Sequence, residues 1–229
     1  MKFPFINIHT HQPCAHDAIC IRNMFIRDFQ KNKHKDSGFF SAGIHPWYIN
    51  SKETLVEQLA LLVDAISHPD CLAVGEAGLD KFTETHWALQ EKAFIEQINI
   101  SEKSGKPMII HCVKAWDEVL KLRKQEKSTC PWIIHGFNSS EQMAQQLLDT
   151  GCLLSFGKMI MNPESKAARV LLSLKPNEFL LETDDEDITI DEIYKMASKL
   201  INISNDELKK HLTGNFERIF EISLTDNSR

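Results

Sequence analysis

The chain has 229 residues, 42% of them apolar and 25% charged, with a formal net charge of -6. That is ample material for a sizeable core in an ordinary globular fold. The acidic balance excludes a binder that grips nucleic acid through a broad basic face, but not an enzyme that meets phosphate through cations.

Short β-rich apolar runs alternate with amphipathic runs from end to end. The first strand is predicted in "FPFINIH", the second in "AICIRNMF" and the third in "GFFSAGI". Leu55, Leu59, Leu62, Val63 and Ile66 then form an apolar stripe at helical period. "CLAVGEA" reads as a strand, and residues 87–104 as a helix closed by Gly105 and Pro107. "PMIIHC" is followed by the helix "AWDEVLKLRKQ", and "WIIHGF" by "SSEQMAQQLLDTG", which a serine opens and Gly151 ends. "CLLSFG" and "NEFLLETD" complete the strands, and "IDEIYKMASKLI" and "SNDELKKHLTGNFERIF" are the closing helices. The tail "TDNSR" reads as disordered.

Near-continuous apolar strands suit a parallel sheet covered on both faces. Eight of them alternating with helices predict an α/β fold, a single (β/α)8 TIM barrel spanning residues 1–229. Residues 12–38 are short for strand, helix and strand in sequence, so the barrel is expected to be distorted, with a shortened first β/α region. No stretch approaches the roughly 18 apolar residues of a membrane span, and "MKFPFI" is too short for a signal peptide. Six scattered cysteines without C-x-x-C read as reduced thiols of a cytoplasmic protein. No membrane association and no obligatory protein partner are expected.

In "FINIHTH", alternation puts Asn7, His9 and His11 on one strand face and Ile6 and Ile8 on the other. The histidines then sit at the C-terminal end of a barrel strand, where barrel enzymes build their sites. Alone, His-x-His is more often an ordinary polar strand end. Glu76 in "AVGEAGLD", His111 in "MIIHC", His135 in "WIIHG" and Asp184 in "LLETDD" share that address at the ends of other strands. A lone histidine or glutamate there is usually hydrogen-bonded or capping. Six such residues beside apolar runs are costly to bury without a compensating cation, so the set reads as a metal site.

The order of "NIHTH", "SAGIHPW", "VGEAGLD", "IIHC", "IIHGF", "LLSFG", "LLETD" and "TGNFERIF" resembles the TatD family of metal-dependent deoxyribonucleases, amidohydrolase-like TIM barrels, over nearly the whole chain. The resemblance implies two divalent ions, Mg, Mn or Zn, with His9, His11 and Asp184 on one, His111 and His135 on the other, and Glu76 bridging them. It implies hydrolysis of phosphodiester bonds, as in a 3′ exonuclease on single-stranded DNA, with DNA or a small phosphodiester as partner. Asp184 would position the water and take its proton; Glu76 and Asp184 are the catalytic pair. It also places His45 in the site, against the alternative of a loop histidine held by Pro46 and Trp47. Trp47 is a candidate stacking surface, a lid or plain packing. Lys114 is a candidate phosphate contact or a solvated residue opening a helix.

Three departures from the family pattern stand out. Asn7 replaces a usual Asp, Val113 replaces a usual Arg, and "ETDDEDITIDE" is acidic where apolar and proline residues are common. Asp185, Glu186 and Asp187 would repel a polyanion if they face the mouth; otherwise they form a charge cluster before a helix. The competing functions are an amidohydrolase of a small amide or ester, and a metal-binding scaffold without catalysis.

Overall fold

A computed structural model describes residues 3–29 and 38–224. Eight parallel strands run in sequence order around a barrel: β1 (Phe5–Thr10), β2 (Ala18–Phe25), β3 (Phe40–Gly43), β4 (Cys71–Asp80), β5 (Met108–Val113), β6 (Trp132–Ile134), β7 (Cys152–Phe156) and β8 (Phe179–Leu181). All eight overlap the predicted runs, and β4 extends past its run to Asp80. The helices are α1 (Lys52–Ile66), α2 (Trp87–Ser104), α3 (Trp116–Gln125), α4 (Glu141–Asp149), α5 (Lys166–Ser173), α6 (Ile190–Ile201) and α7 (Asn205–Phe220). The segment "TDNSR" lies outside the described residues, as do residues 30–37.

Local chemistry sets the helix ends. Ser51 with Thr54, and Thr189 with Glu192, form reciprocal capping boxes at the starts of α1 and α6. Gly105 stops α2 with a left-handed φ of 67°, a conformation that glycine adopts without steric penalty. β1 is buried throughout, with Ile6 and Ile8 at 0% exposure, and α6 and α7 pack over it.

The barrel is distorted in two places. Residues 11–17 join β1 to β2 without a helix. That short return path descends beside β2 and brings Cys14 within 5.7 Å (Cα–Cα) of Cys20, to which it is disulfide-bonded. The expectation of six reduced cysteines is therefore corrected for this pair: only Cys71, Cys112, Cys130 and Cys152 are free. The second distortion lies between β8 and β1. At the mouth, backbone bonds close the seam: the Asp184 N–H donates to the His9 carbonyl (3.0 Å) and the His11 N–H to the Asp184 carbonyl (3.0 Å). Further down, side chains replace the ladder. The Tyr194 hydroxyl accepts from the Ile6 N–H (3.0 Å) and donates to the Ile6 carbonyl (3.2 Å). Asn7 accepts from the Thr183 N–H (3.1 Å) and donates to the Thr183 hydroxyl (2.8 Å). Buried peptide groups need such partners, and an aspartate at position 7 could accept but not donate.

Candidate active site

The six candidate ligands converge on one pocket at the C-terminal ends of the strands. His9 comes from β1, His11 lies just beyond it, and Asp184 is held against both by the seam described above. Asp184 has a left-handed φ of 53°, which aspartate tolerates better than most residues. Glu76 is not at a strand tip, because β4 continues to Asp80. The β4–β5 register shifts between Val74 and Ala77, and such an irregularity re-aims the side chain beside it. Gly78 pairs with His111, and any Cβ at Gly78 would collide with the His111 carbonyl. The second glycine of "VGEAGLD" is therefore the close approach that carries His111 to the site.

The Glu76 carboxylate stands between two groups of donors. Its Oε2 lies 3.6 Å from His9 Nε2 and 3.7 Å from His11 Nε2, and each of those nitrogens is 3.4 Å from Asp184 Oδ1. Its Oε1 lies 2.9 Å from both His111 Nδ1 and His135 Nε2, which are 3.4 Å from each other. Donors held about 2.0–2.2 Å from one cation stand roughly 3.0–3.5 Å apart, so both groups have the spacing of ligands around an ion. Moreover, both ring nitrogens of His9 are buried without a hydrogen-bond partner. An orphaned buried imidazole is unfavourable, and Nε2 facing two carboxylates is satisfied by a cation between them. The donor set of imidazoles and carboxylates suits Zn, Mn and similar ions.

Carboxylates also stand behind the second group. Asp80 Oδ2 lies 3.1 Å from His111 Nε2, and Glu182 Oε1 lies 3.4 Å from His135 Nδ1 while accepting the Gly136 N–H at 2.6 Å. A proton held on the outer nitrogen leaves the inner lone pair for a metal. Asp80 also accepts from the Trp47 indole N–H (2.6 Å). Asn23 accepts the Glu76 N–H (3.1 Å) and donates to its carboxylate (3.4 Å). Asp80, Glu182 and Asn23 were not singled out in the sequence. Period-two spacing offered a signal for two of them, since Asp80 is four residues from Glu76 and Glu182 two from Asp184.

His45 is buried, with Nε2 3.3 Å from Glu76 Oε1, and so belongs to the cluster. Its role differs from that of the other imidazoles. Nδ1 accepts the Trp47 backbone N–H at 3.2 Å, so a neutral His45 carries its proton on Nε2. Burial lowers its pKa and outweighs the pull of Glu76, which favours the neutral ring. His45 thus presents an N–H donor to the pocket rather than a lone pair.

Mutual electrostatics dominate the remaining groups. Burial pushes the Glu76 pKa up, but His135, His11 and His111 hold it well below the ordinary range. Burial likewise opposes ionisation of Asp184, and the neighbouring His11, His9 and His135 rings overcome it, leaving a lowered pKa. Burial disfavours the charged His11 ring, yet Asp184 and Glu76 raise its pKa to about 9. For His135, Glu76 and Glu182 overcome burial and raise the pKa well above its usual value. Each shift reports negative charge facing positive charge across a shared space.

The pocket holds about 380 Å³ and is lined by His11, Phe25, His45, Trp47, Tyr48, Glu76, His111, His135, Asp184 and Asp185. Asp185 therefore faces the mouth. Glu186 is instead paired with Lys158 (2.6 Å), and Asp187 is exposed outside the cavity lining. The acidic run precedes α6 but does not cap it; Thr189 does. Lys114 is exposed, with a φ of 55°, and does not line the pocket. Among the described residues, no helix is long and apolar enough to cross a membrane.

The profile of the TatD related DNase family matches residues 26–221. The metal-dependent hydrolase YcfH of Escherichia coli K12 is 28% identical over 207 residues, covering 83% of this chain and 77% of that protein. The metal-dependent hydrolase YabD of Bacillus subtilis is 24% identical over 222 residues, covering 88% and 85%. The crystal structure of YJJV, a TatD homologue from Escherichia coli K12, superposes with a TM-score of 0.82 at 21% identity, covering 96% of this chain and 98% of that one. An organophosphorus hydrolase mutant shares the barrel more distantly, at a TM-score of 0.62 and 11% identity. With its strands, cluster and family match in agreement, the chain belongs to the TatD related DNase family and is a metal-dependent hydrolase.

Proposed function

We propose that the protein hydrolyses phosphodiester bonds with two divalent ions, acting on DNA ends as a 3′ exonuclease on single-stranded DNA or on a small phosphodiester. The observation that carries this reading is the division of Glu76: Oε2 faces His9 and His11, and Oε1 faces His111 and His135. One carboxylate serving two donor groups is the arrangement that a bridged ion pair requires. The first ion would be held by His9, His11, Asp184 and Glu76, the second by His111, His135 and Glu76.

Bound ions would polarise the phosphoryl oxygens and acidify a water. The remaining roles fall to the chain. Asp184, at the open side of the first group, orients the attacking water and accepts its proton. The Nε2–H of His45 hydrogen-bonds a phosphoryl oxygen on which charge develops. Asp80 and Glu182 hold His111 and His135 in their tautomers. They also reduce the positive surplus: Glu76 and Asp184 alone would leave a two-ion site positive by about two units, and two further carboxyl groups directly behind it bring that total down. This limits the attraction of the site for a long polyanion.

Amide hydrolysis on the same barrel is the competing reading. Many amidohydrolases bridge their ions with a carbamylated lysine, and the cavity lining has Glu76 in that role and no lysine. The test combines metal analysis with turnover. Two equivalents of metal, chelator-sensitive release of nitrophenol from bis(p-nitrophenyl) phosphate and shortening of 5′-labelled single-stranded DNA are expected. Activity on amides or lactones with none on either diester would overturn the reading.

A further inference from the structure

The exposed large apolar side chains include Trp47 (53%), Phe82 (76%), Met159 (47%) and Met161 (40%). All four lie on connections that leave the C-terminal ends of strands, on the same face as the cluster. Only Trp47 among them also lines the cavity. Its ring is fixed: the indole N–H is tied to Asp80, and the ring stands edge-on to His45 and His111, at centroid separations of 4.9 and 5.9 Å. An aromatic side chain held rigidly yet half in water loses little freedom on binding. Tyr48, beside it, is already covered by the Arg27 guanidinium at 4.3 Å. Asp185 also lines the cavity.

We infer that Trp47 is the floor of a subsite for a single nucleobase, placed so that the attached phosphate reaches the cluster, and that the site grips one nucleotide, free or at a strand end, with no added grip on the rest of a strand. The inference deepens the proposed phosphodiesterase activity and rests on that reading for its catalytic meaning. Three observations carry it. The platform touches the imidazoles that face the reacting phosphate. A cavity of about 380 Å³ lies near the small end of the roughly 300–1,000 Å³ common for small ligands, which suits one nucleotide. And an acidic Asp185 wall, with the exposed Asp187 close by in sequence, disfavours a second phosphate. Stacking serves any base, because every base has a π-face.

The test reads binding, so it stands whether or not diesters are cleaved. Calorimetry with Mn²⁺ present compares thymidine 5′-monophosphate with 2-deoxyribose 5-phosphate, which carries a hydroxyl in place of the base. The nucleotide is expected to bind about tenfold or more tightly. Trp47→Ala should cut that ratio to within about threefold, and Trp47→Phe, which keeps a ring but loses the bond to Asp80, should preserve most of it. Lengthening the probe to pTpT and an octathymidylate should add less than threefold. Equal binding of the two monophosphates by the wild type overturns the inference, as does an unchanged ratio in Trp47→Ala or a steep gain with length. Base-dependent binding without diester cleavage would sink the proposed activity and leave the subsite standing.

Discussion

Glu102, near the end of α2, offers a stability test with a pH signature. Its Oε1 accepts from the Ser128 hydroxyl (2.6 Å) and the N–H groups of Thr129 and Cys130 (both 2.9 Å), and its Oε2 from the Thr129 hydroxyl (2.7 Å). This one carboxylate anchors the turn that leads into β6 and so to His135. Partial burial raises the Glu102 pKa, but the bonds from Ser128, Thr129 and Cys130 outweigh it and bring it from 4.5 to about 2. A depression of about 2.5 units corresponds to at most about 3.4 kcal/mol at 1.36 kcal/mol per unit. Glu102 is only partly buried, so solvent screening reduces this to about 2 kcal/mol. The folded pKa lies below the unfolded one, so the contribution is complete above pH 4.5 and is lost as pH falls towards 2. Glu102→Gln does not titrate there. Urea unfolding should show the variant about 1–2 kcal/mol less stable at pH 7, with the gap reduced by roughly half at pH 3.5. A gap that stays constant over that range, or one below about 0.5 kcal/mol at pH 7, would refute the assignment of the stabilisation to the ionised carboxylate.

Four further outcomes are expected. Asp184→Asn should retain bound metal, read by elemental analysis, yet lose turnover on bis(p-nitrophenyl) phosphate by at least about a hundredfold, within the range of positioned acid–base groups; undiminished turnover would remove Asp184 from proton transfer. Asp80→Asn should weaken metal binding about 10- to 100-fold by loosening the His111 tautomer, as measured by competition with a chromogenic chelator. Gly78→Ala should shift His111 and lower metal occupancy far more than the same change at the open Gly214, beside which nothing lies within 4 Å of an added Cβ. Tyr194→Phe strips both buried Ile6 backbone groups of their partner, and denaturant unfolding should show a loss of about 2–4 kcal/mol.

The eight strands are legible because each is a short apolar run between polar segments, and the residues of the cluster because most of them follow or end such a run; Glu76 lies inside one. What escaped reading lies one step behind the ligands. Asp80 lies outside the predicted run "CLAVGEA", whereas β4 runs on to it. Glycine breaks a strand pattern in sequence, yet here it permits the contact with His111. Glu182 was hidden within an apolar run whose partner, Gly136, is 46 residues away. The disulfide escaped because Cys14 and Cys20 meet only through the helix-free return between β1 and β2, and spacing alone does not reveal which side of a strand a connection follows. Lys114, whose position after β5 suggested a phosphate contact, is exposed and is not among the residues that line the cavity.

The tautomer of His45 bears on how one cluster divides its labour. Five imidazoles surround Glu76, and by composition alone all five are equivalent ligands. The groups that stand behind three of them break that equivalence. A carboxylate behind His111 and another behind His135 favour a proton on the outer nitrogen, turning a lone pair inward. A backbone N–H behind His45 does the reverse and turns a proton inward. The same side chain thus becomes a ligand or a donor according to whether an acceptor or a donor stands behind it. That donor is the backbone of Trp47, whose indole in turn holds Asp80 behind His111. One residue therefore orients a donor imidazole and a candidate ligand imidazole at once, so substitutions at Trp47 that preserve only the ring, or only the indole N–H bond, should separate metal affinity from substrate affinity.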